Sequence, residues 1–249
     1  TRIKKARESG ASRQDRRHDA SGAGAYSSAD NARQTMGQSV SFAAQISQTL
    51  GCGSISDVTQ DRLDRFAALV VKWNPAINIV ARSTISELWK RHILDSVQVY
   101  CFAPESAKHW ADLGSGGGFP GIIVAILAAE MRRPIRVTLV ESDKRKCVFL
   151  TEAARLLELD LTVLAARIET LAPLHADVVS ARALASLPQL CELASLHLSD
   201  KGVCIFPKGE RAEAEVALAR QAWHFDLESS QSITDDKASL LILKGLHRV

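Results

Sequence analysis

The sequence predicts an α/β protein: a doubly wound, mostly parallel seven-stranded sheet preceded by an N-terminal helical layer. Three observations carry that expectation. From Trp110 onward, short apolar runs alternate with longer amphipathic segments, and strand–helix alternation of this length builds parallel sheets. Five glycines crowd into the sixteen residues ADLGSGGGFPGIIVAI, 111–126, at the first strand-to-helix turn. The last two apolar runs are separated only by QSITDDKA, with no helix, so they form an antiparallel hairpin at one edge.

Taken in order, residues 1–40 carry eight Lys/Arg against four Asp/Glu and almost no large apolar side chains, and are expected to be a disordered basic extension. Met36 opens the first stretch with helical character, so the segment before it reads as an upstream extension. Residues 41–108 are expected to form the helical layer. In DVTQDRLDRFAALVVKWN, Leu63, Phe66, Ala67, Val70 and Trp73 recur at helical spacing, and Asn74-Pro75 is expected to end that helix. A second helix is expected over TISELWKRHILDSVQVYCF, with Leu88, His92, Asp95 and Ser96 on shared faces. Residues 109–249 then supply strands at Ala111 to Leu113, Val137 to Glu141, Leu161 to Ala165, Asp177 to Ser180, Val203 to Pro207, Phe225 to Ser229 and Leu240 to Lys244. Helices are expected at Pro120 to Met131, Asp143 to Leu159, Ser186 to Leu198 and Glu210 to Trp223.

Composition removes several function classes. The longest apolar run, Gly121 to Ala129, falls well short of the ~18 residues of a membrane span, so no membrane role is expected. The five cysteines are at least 13 residues apart, so no metal-ligand spacing exists and reduced thiols in a cytosol are expected. The net charge of +3 divides into +4 over the first 40 residues and −1 over the rest. A nucleic-acid partner would therefore need a local basic patch on an almost neutral body.

A glycine-rich turn leaving the first strand brings backbone N–H groups close to a ligand, because no Cβ intervenes. Two readings compete. Gly116, Gly118 and Gly121 satisfy the dinucleotide pattern G-x-G-x-x-G, and Asp112, Gly114, Gly116 and Gly118 satisfy the D-x-G-x-G-x-G of S-adenosylmethionine enzymes. Both expect an acid at the end of the second strand to accept from ribose hydroxyls, and Glu141 supplies it. Asp112 favours a ligand bearing an ammonium group over a pyrophosphate, and the terminal hairpin favours the methyltransferase sheet.

Four stretches, WNPAINIVARSTISELWKRHILDS, ADLGSGGGFPGI, SARALASL and FPKG, together resemble the small-subunit ribosomal RNA methyltransferase G family, also called glucose-inhibited division protein B, over about residues 57–249. The resemblance implies a class I S-adenosylmethionine-dependent methyltransferase fold, Rossmann-like. It also implies a cytoplasmic enzyme that methylates N7 of one guanine in 16S ribosomal RNA or in the small ribosomal subunit, working as a monomer without a metal. Carried over by position, the cofactor contacts are Gly114, Phe119, Ile168, Glu169 and Arg182, to which the reading of the loop and of strand two adds Gly116 and Glu141. The chain departs from the family at Ala181, where serine is usual, and at Lys144-Arg145-Lys146, where Gly-Lys-Arg is frequent.

Guanine N7 carries a lone pair and no proton, so its methylation needs no general base, and no catalytic acid or base is assigned. The sequence agrees by omission: WNPA lacks the second proline of amino-group methyltransferases, and no Pro-Cys nucleophile is present. Candidate RNA contacts are Arg91 and Lys208, with His92 and Lys144 to Lys146 as further cations. His92 reads equally as a helix histidine capped by Asp95, the lysine run equally as a solvated helix face, and the N-terminal segment alternatively as a basic RNA-binding arm. Two rival readings stay open: an NAD(P)-binding oxidoreductase, and a non-catalytic RNA-binding module on the same fold.

Overall fold

A computed structural model describes residues 42–249; the basic extension and Met36 lie outside the described residues. The seven strands are β1 (His109–Leu113), β2 (Arg136–Glu141), β3 (Leu161–Ala165), β4 (Ala176–Ser180), β5 (Leu198–Lys208), β6 (Trp223–Gln231) and β7 (Ser239–Arg248). They lie in the order β3-β2-β1-β4-β5-β7-β6. The first five are mutually parallel, and β7 runs antiparallel between β5 and β6. The expected hairpin is therefore present, with the last strand inside it and β6 at the edge.

Alternation of side chains along the strands splits the core in two. Trp110, Val178, Ile205 and Ile242 face one side, toward α4 (Gly121–Glu130) and α5 (Lys144–Leu156). Ala111, Val179, Phe206 and Leu243 face the other, toward α6 (Leu187–Ser195) and α7 (Ala212–Ala219). Helix α4 is apolar all round because it is enclosed, with the sheet on one side and the N-terminal helices on the other.

Those N-terminal helices are α1 (42–50) and α2 (Asp57–Ile77), followed by a 3-10 turn at Arg82–Glu87, a π-helical turn at Trp89–Leu94 and α3 (Asp95–Cys101). They share one apolar core with α4 and α5, so the helical layer is joined to the sheet domain by packing. Glu130, at the end of α4, accepts hydrogen bonds from Ser56 N, Ser56 Oγ and Thr59 Oγ1 at the start of α2. Its charge sits where the α2 dipole is positive.

Two local expectations are corrected. Pro75 does not end its helix, which continues to Ile77 and is closed by Asn78 at φ 49°. A proline in the last turn breaks only one ladder bond, and Asn74 Oδ1 accepts from Val80 N at 2.8 Å to steady the exit. The single second helix is instead three segments of different pitch, and the wider π turn carries Trp89 to Leu94. Such turns re-aim side chains, and here they re-aim Arg91 and His92.

Candidate active site

The strand order reverses between β1 and β4, and the loop after β1 opens into a cavity of about 590 Å³ at that point. All seven sequence-assigned cofactor residues line it: Gly114, Gly116, Phe119, Glu141, Ile168, Glu169 and Arg182. The glycine loop is laced internally. Ser115 N donates to Val140 O at 3.0 Å, and Gly118 N donates to Ser115 O at 2.7 Å. Gly116, at φ +54°, faces open space, its nearest neighbour being Gly114 O at 3.7 Å from where a Cβ would stand. Gly121 is the opposite case: an added Cβ would lie 2.2 Å from Leu139 Cδ2 and 2.8 Å from Asp112 Oδ2.

Glu141 closes β2 beneath that loop. Its Oε2 accepts from Gly116 N at 2.8 Å and its Oε1 from Asp143 N at 2.7 Å. A carboxylate has about four acceptor sites, so capacity remains for hydroxyl groups above it. Ile168 begins a 3-10 turn, Ile168–Thr170, and its carbonyl accepts from His197 Nε2 at 3.0 Å.

Asp112 has a different place from the one its sequence context suggests. It does not line the cavity; it is buried between β1, β4 and α4, where its Oδ1 accepts from Ser180 Oγ at 2.8 Å and its Oδ2 from Gly121 N at 3.2 Å. Ser180 Oγ in turn accepts from Trp110 Nε1. Burial pushes the Asp112 carboxyl up to about 6, against these hydrogen bonds and the Arg182 charge. The acid therefore fastens the glycine loop to the core and does not meet a ligand's ammonium group.

Arg182, just after β4, sits over the Phe119 ring at 5.3 Å. Its Nη1 donates to Arg91 O at 3.1 Å and lies 3.5 Å from Asp95 Oδ2, and its Nη2 donates to His92 Nδ1 at 2.9 Å. A guanidinium only donates, so His92 Nδ1 carries no proton and Nε2–H is left to donate to Thr84 Oγ1 at 2.9 Å. Thr84 passes the chain on to Ala81 O. Burial, with the Arg182 and Arg91 charges, pushes His92 down to about 3, so the ring is neutral. Asp95 does not cap His92; its Oδ1 accepts from Gln98 Nε2 and Thr234 Oγ1.

A second cavity, also about 590 Å³, lies beyond this network. The two share Thr84, His92, Arg182, Ala183 and Leu184, so these residues form a common wall. Both sequence-assigned RNA residues line the second cavity, in different states. Arg91 is half exposed, with loose pairings to Glu87 at 3.6 Å and Asp235 at 3.9 Å. Lys208 is 10% exposed and held by Glu215 Oε2 at 2.7 Å and Ala185 O at 2.8 Å. Of the lysine run, only Lys146 reaches the first cavity, while Lys144 and Arg145 are exposed on α5.

Sequence reasoning missed Ile79, Val80 and Ala81, which close the first cavity from the N-terminal layer, and Arg211 and Glu215 at the second. The apolar INIVA beside WNPA was a readable signal for the first group. Nothing in one sequence marks the second.

The family described as rRNA small subunit methyltransferase G matches residues 59–241. The chain belongs to that family. A ribosomal RNA small subunit methyltransferase G from Cereibacter sphaeroides is 51% identical over 195 residues, 78% of this chain and 95% of the relative. The protein of that name from Parvibaculum lavamentivorans is 44% identical over 213 residues, covering 84% and 94%. In fold, a SAM dependent methyltransferase from Aquifex aeolicus aligns with TM-score 0.50 and 13% identity over 64% of this chain and 92% of that one. Among the described residues no helix is long and apolar enough to cross a membrane, and no cluster of potential metal ligands occurs.

Proposed function

We propose that this methyltransferase G family chain uses S-adenosylmethionine to methylate N7 of a guanine in 16S ribosomal RNA, acting as a cytoplasmic monomer on the RNA or the small ribosomal subunit. One observation supports it above the others: two cavities of nucleotide size meet at a common wall directly beyond the glycine loop. The first suits the cofactor and the second a base extracted from its stack.

The residues present fit the cofactor. Gly116 leaves backbone open to the cavity, Glu141 keeps acceptor capacity for ribose hydroxyls, and Val140 with Ile168 offers an apolar edge for adenine. When bound, S-adenosylmethionine supplies a sulfonium methyl group that a neutral nitrogen lone pair can take. Guanine N7 has that lone pair, so alignment by the chain is what catalysis needs, and alignment can contribute up to about 7–11 kcal/mol. Arg182 is already held by Asp95, His92 and Arg91 O, which suits shaping the wall over Phe119. His92, being neutral, adds no imidazolium charge beside a base that becomes cationic on methylation.

The test is transfer of labelled methyl groups to small subunits, or naked 16S RNA, from cells lacking this gene, followed by mapping of 7-methylguanosine. Failure on both substrates would refute the reading. A dinucleotide enzyme would instead be stabilised thermally by NAD and not by S-adenosylhomocysteine.

A further inference from the structure

We infer that the Lys208–Glu215 pair on the floor of the second cavity reads the Watson–Crick edge of the target guanine. The inference rests on the methyltransferase reading above.

The pair has an internal duty, and that duty leaves something over. Glu215, in the first turn of α7, uses Oε2 for Lys208 Nζ and for Leu187 N at the start of α6. Its Oε1 makes no hydrogen bond among the described residues, although the side chain is only 23% exposed. Lys208 Nζ has three protons, and two are taken, by Glu215 Oε2 and Ala185 O. One acceptor and one donor therefore stand side by side in the cavity wall, where the half-buried carboxylate is reached by water that a ligand can replace.

Guanine supplies the complement. Its O6 accepts, and beside it N1–H and N2–H both donate, so the ammonium takes the oxygen and the one free carboxylate oxygen, Oε1, is shared by the two N–H groups. N7 lies outside that edge and stays free for reaction. The rim agrees with an RNA occupant: Arg91 is half exposed, and Arg211 is exposed with no ion pair among the described residues, so both can meet phosphates. Leu184 in the shared wall is 38% exposed, an apolar surface for a base face.

The probe is inosine, which keeps N7, O6 and N1–H and lacks the 2-amino group. Small subunits reconstituted with guanosine or inosine at the methylated position are compared for methyl transfer and for equilibrium binding without cofactor. Wild-type protein is expected to prefer guanosine by about tenfold or more, the loss of a hydrogen bond to a charged group. Glu215→Gln is expected to bring that preference within about threefold while leaving S-adenosylhomocysteine affinity unchanged. A purely structural pair would lower stability in Glu215→Gln and leave the ratio alone, which overturns the inference. Equal handling of guanosine and inosine by wild-type protein overturns it with no variant needed. Absence of N7 transfer by wild-type protein to guanosine subunits refutes the parent reading, and this one with it.

Discussion

Adding one methyl group at Gly116 and, separately, at Gly121 distinguishes the two duties of the glycine loop. At Gly116 an alanine meets no crowding, the nearest atom being Gly114 O at 3.7 Å. Its cost is the left-handed backbone at φ +54°, roughly 1–2 kcal/mol for an L residue. At Gly121 the new Cβ stands 2.2 Å from buried Leu139 Cδ2 and 2.8 Å from Asp112 Oδ2. Overpacking of that kind costs about 1–3 kcal/mol, and disturbing the Gly121 N–H bond to a buried carboxylate adds about 1.5–3 kcal/mol. At about 2–4 °C per kcal/mol for a chain of this size, Gly121→Ala should lower Tm by roughly 5–24 °C and Gly116→Ala by roughly 2–8 °C. The order reverses in calorimetric titration with S-adenosylhomocysteine. Gly116→Ala places its methyl group in the cradle and should weaken binding by about tenfold, equivalent to about 1.4 kcal/mol. Below its melting temperature, Gly121→Ala should bind more nearly as wild type. A Gly121→Ala protein as stable as Gly116→Ala, or a Gly116→Ala protein with undiminished affinity, would refute this division of labour.

Other perturbations follow from the same geometry. Asp112 titrates at about 6 in the folded protein and at about 3.9 when unfolded, so the folded state keeps a proton that the unfolded chain releases. The stability this group contributes is complete below pH ~4 and is lost as pH rises through about 6, by about 3 kcal/mol. His92 has the opposite sign: held near 3, it stays neutral while the unfolded chain takes up a proton, so stability falls as pH drops below about 6.5. Urea midpoints between pH 4.5 and 7.5 should therefore drop more steeply toward acid in Asp112→Asn than in wild type, and parallel curves would contradict the Asp112 assignment. His92→Lys should place a second cation against Arg182 and lower kcat/KM by at least about tenfold, whereas the wild-type rate profile from pH 5 to 9 should show no inflection from His92. Glu130→Ala removes the shared acceptor at the start of α2 and should cost about 1–2 kcal/mol in chemical denaturation, with cofactor binding retained.

Patterns local in sequence were the legible ones. The alternation of runs foretold the seven strands, and β3 matches its expected span, Leu161–Ala165. The seven sequence-assigned residues meet in the first cavity because they follow strand ends, which the parallel sheet gathers on one side. What escaped depends on partners far apart in the chain. Asp112 finds its role only when Ser180, 68 residues away, comes beside it. Lys208 reads as a free cation until Glu215 and Ala185 O are seen to hold it. The π turn that re-aims His92 has no propensity signal, since its residues suit an ordinary helix equally well.

The placement of β7 sets an order of assembly. The last of the seven strands in chain order is an inner one, and β6, made before it, has no other hydrogen-bonded neighbour among the described residues. During synthesis β6 must therefore wait, unpaired, until the residues of β7 emerge and bind β5 on one side and β6 on the other. Loss of residues 239–248 would strip two strands instead of one, and would also release the 231–238 connection that brings Thr234 and Asp235 to the second cavity. The second cavity is therefore complete only once β7 has paired.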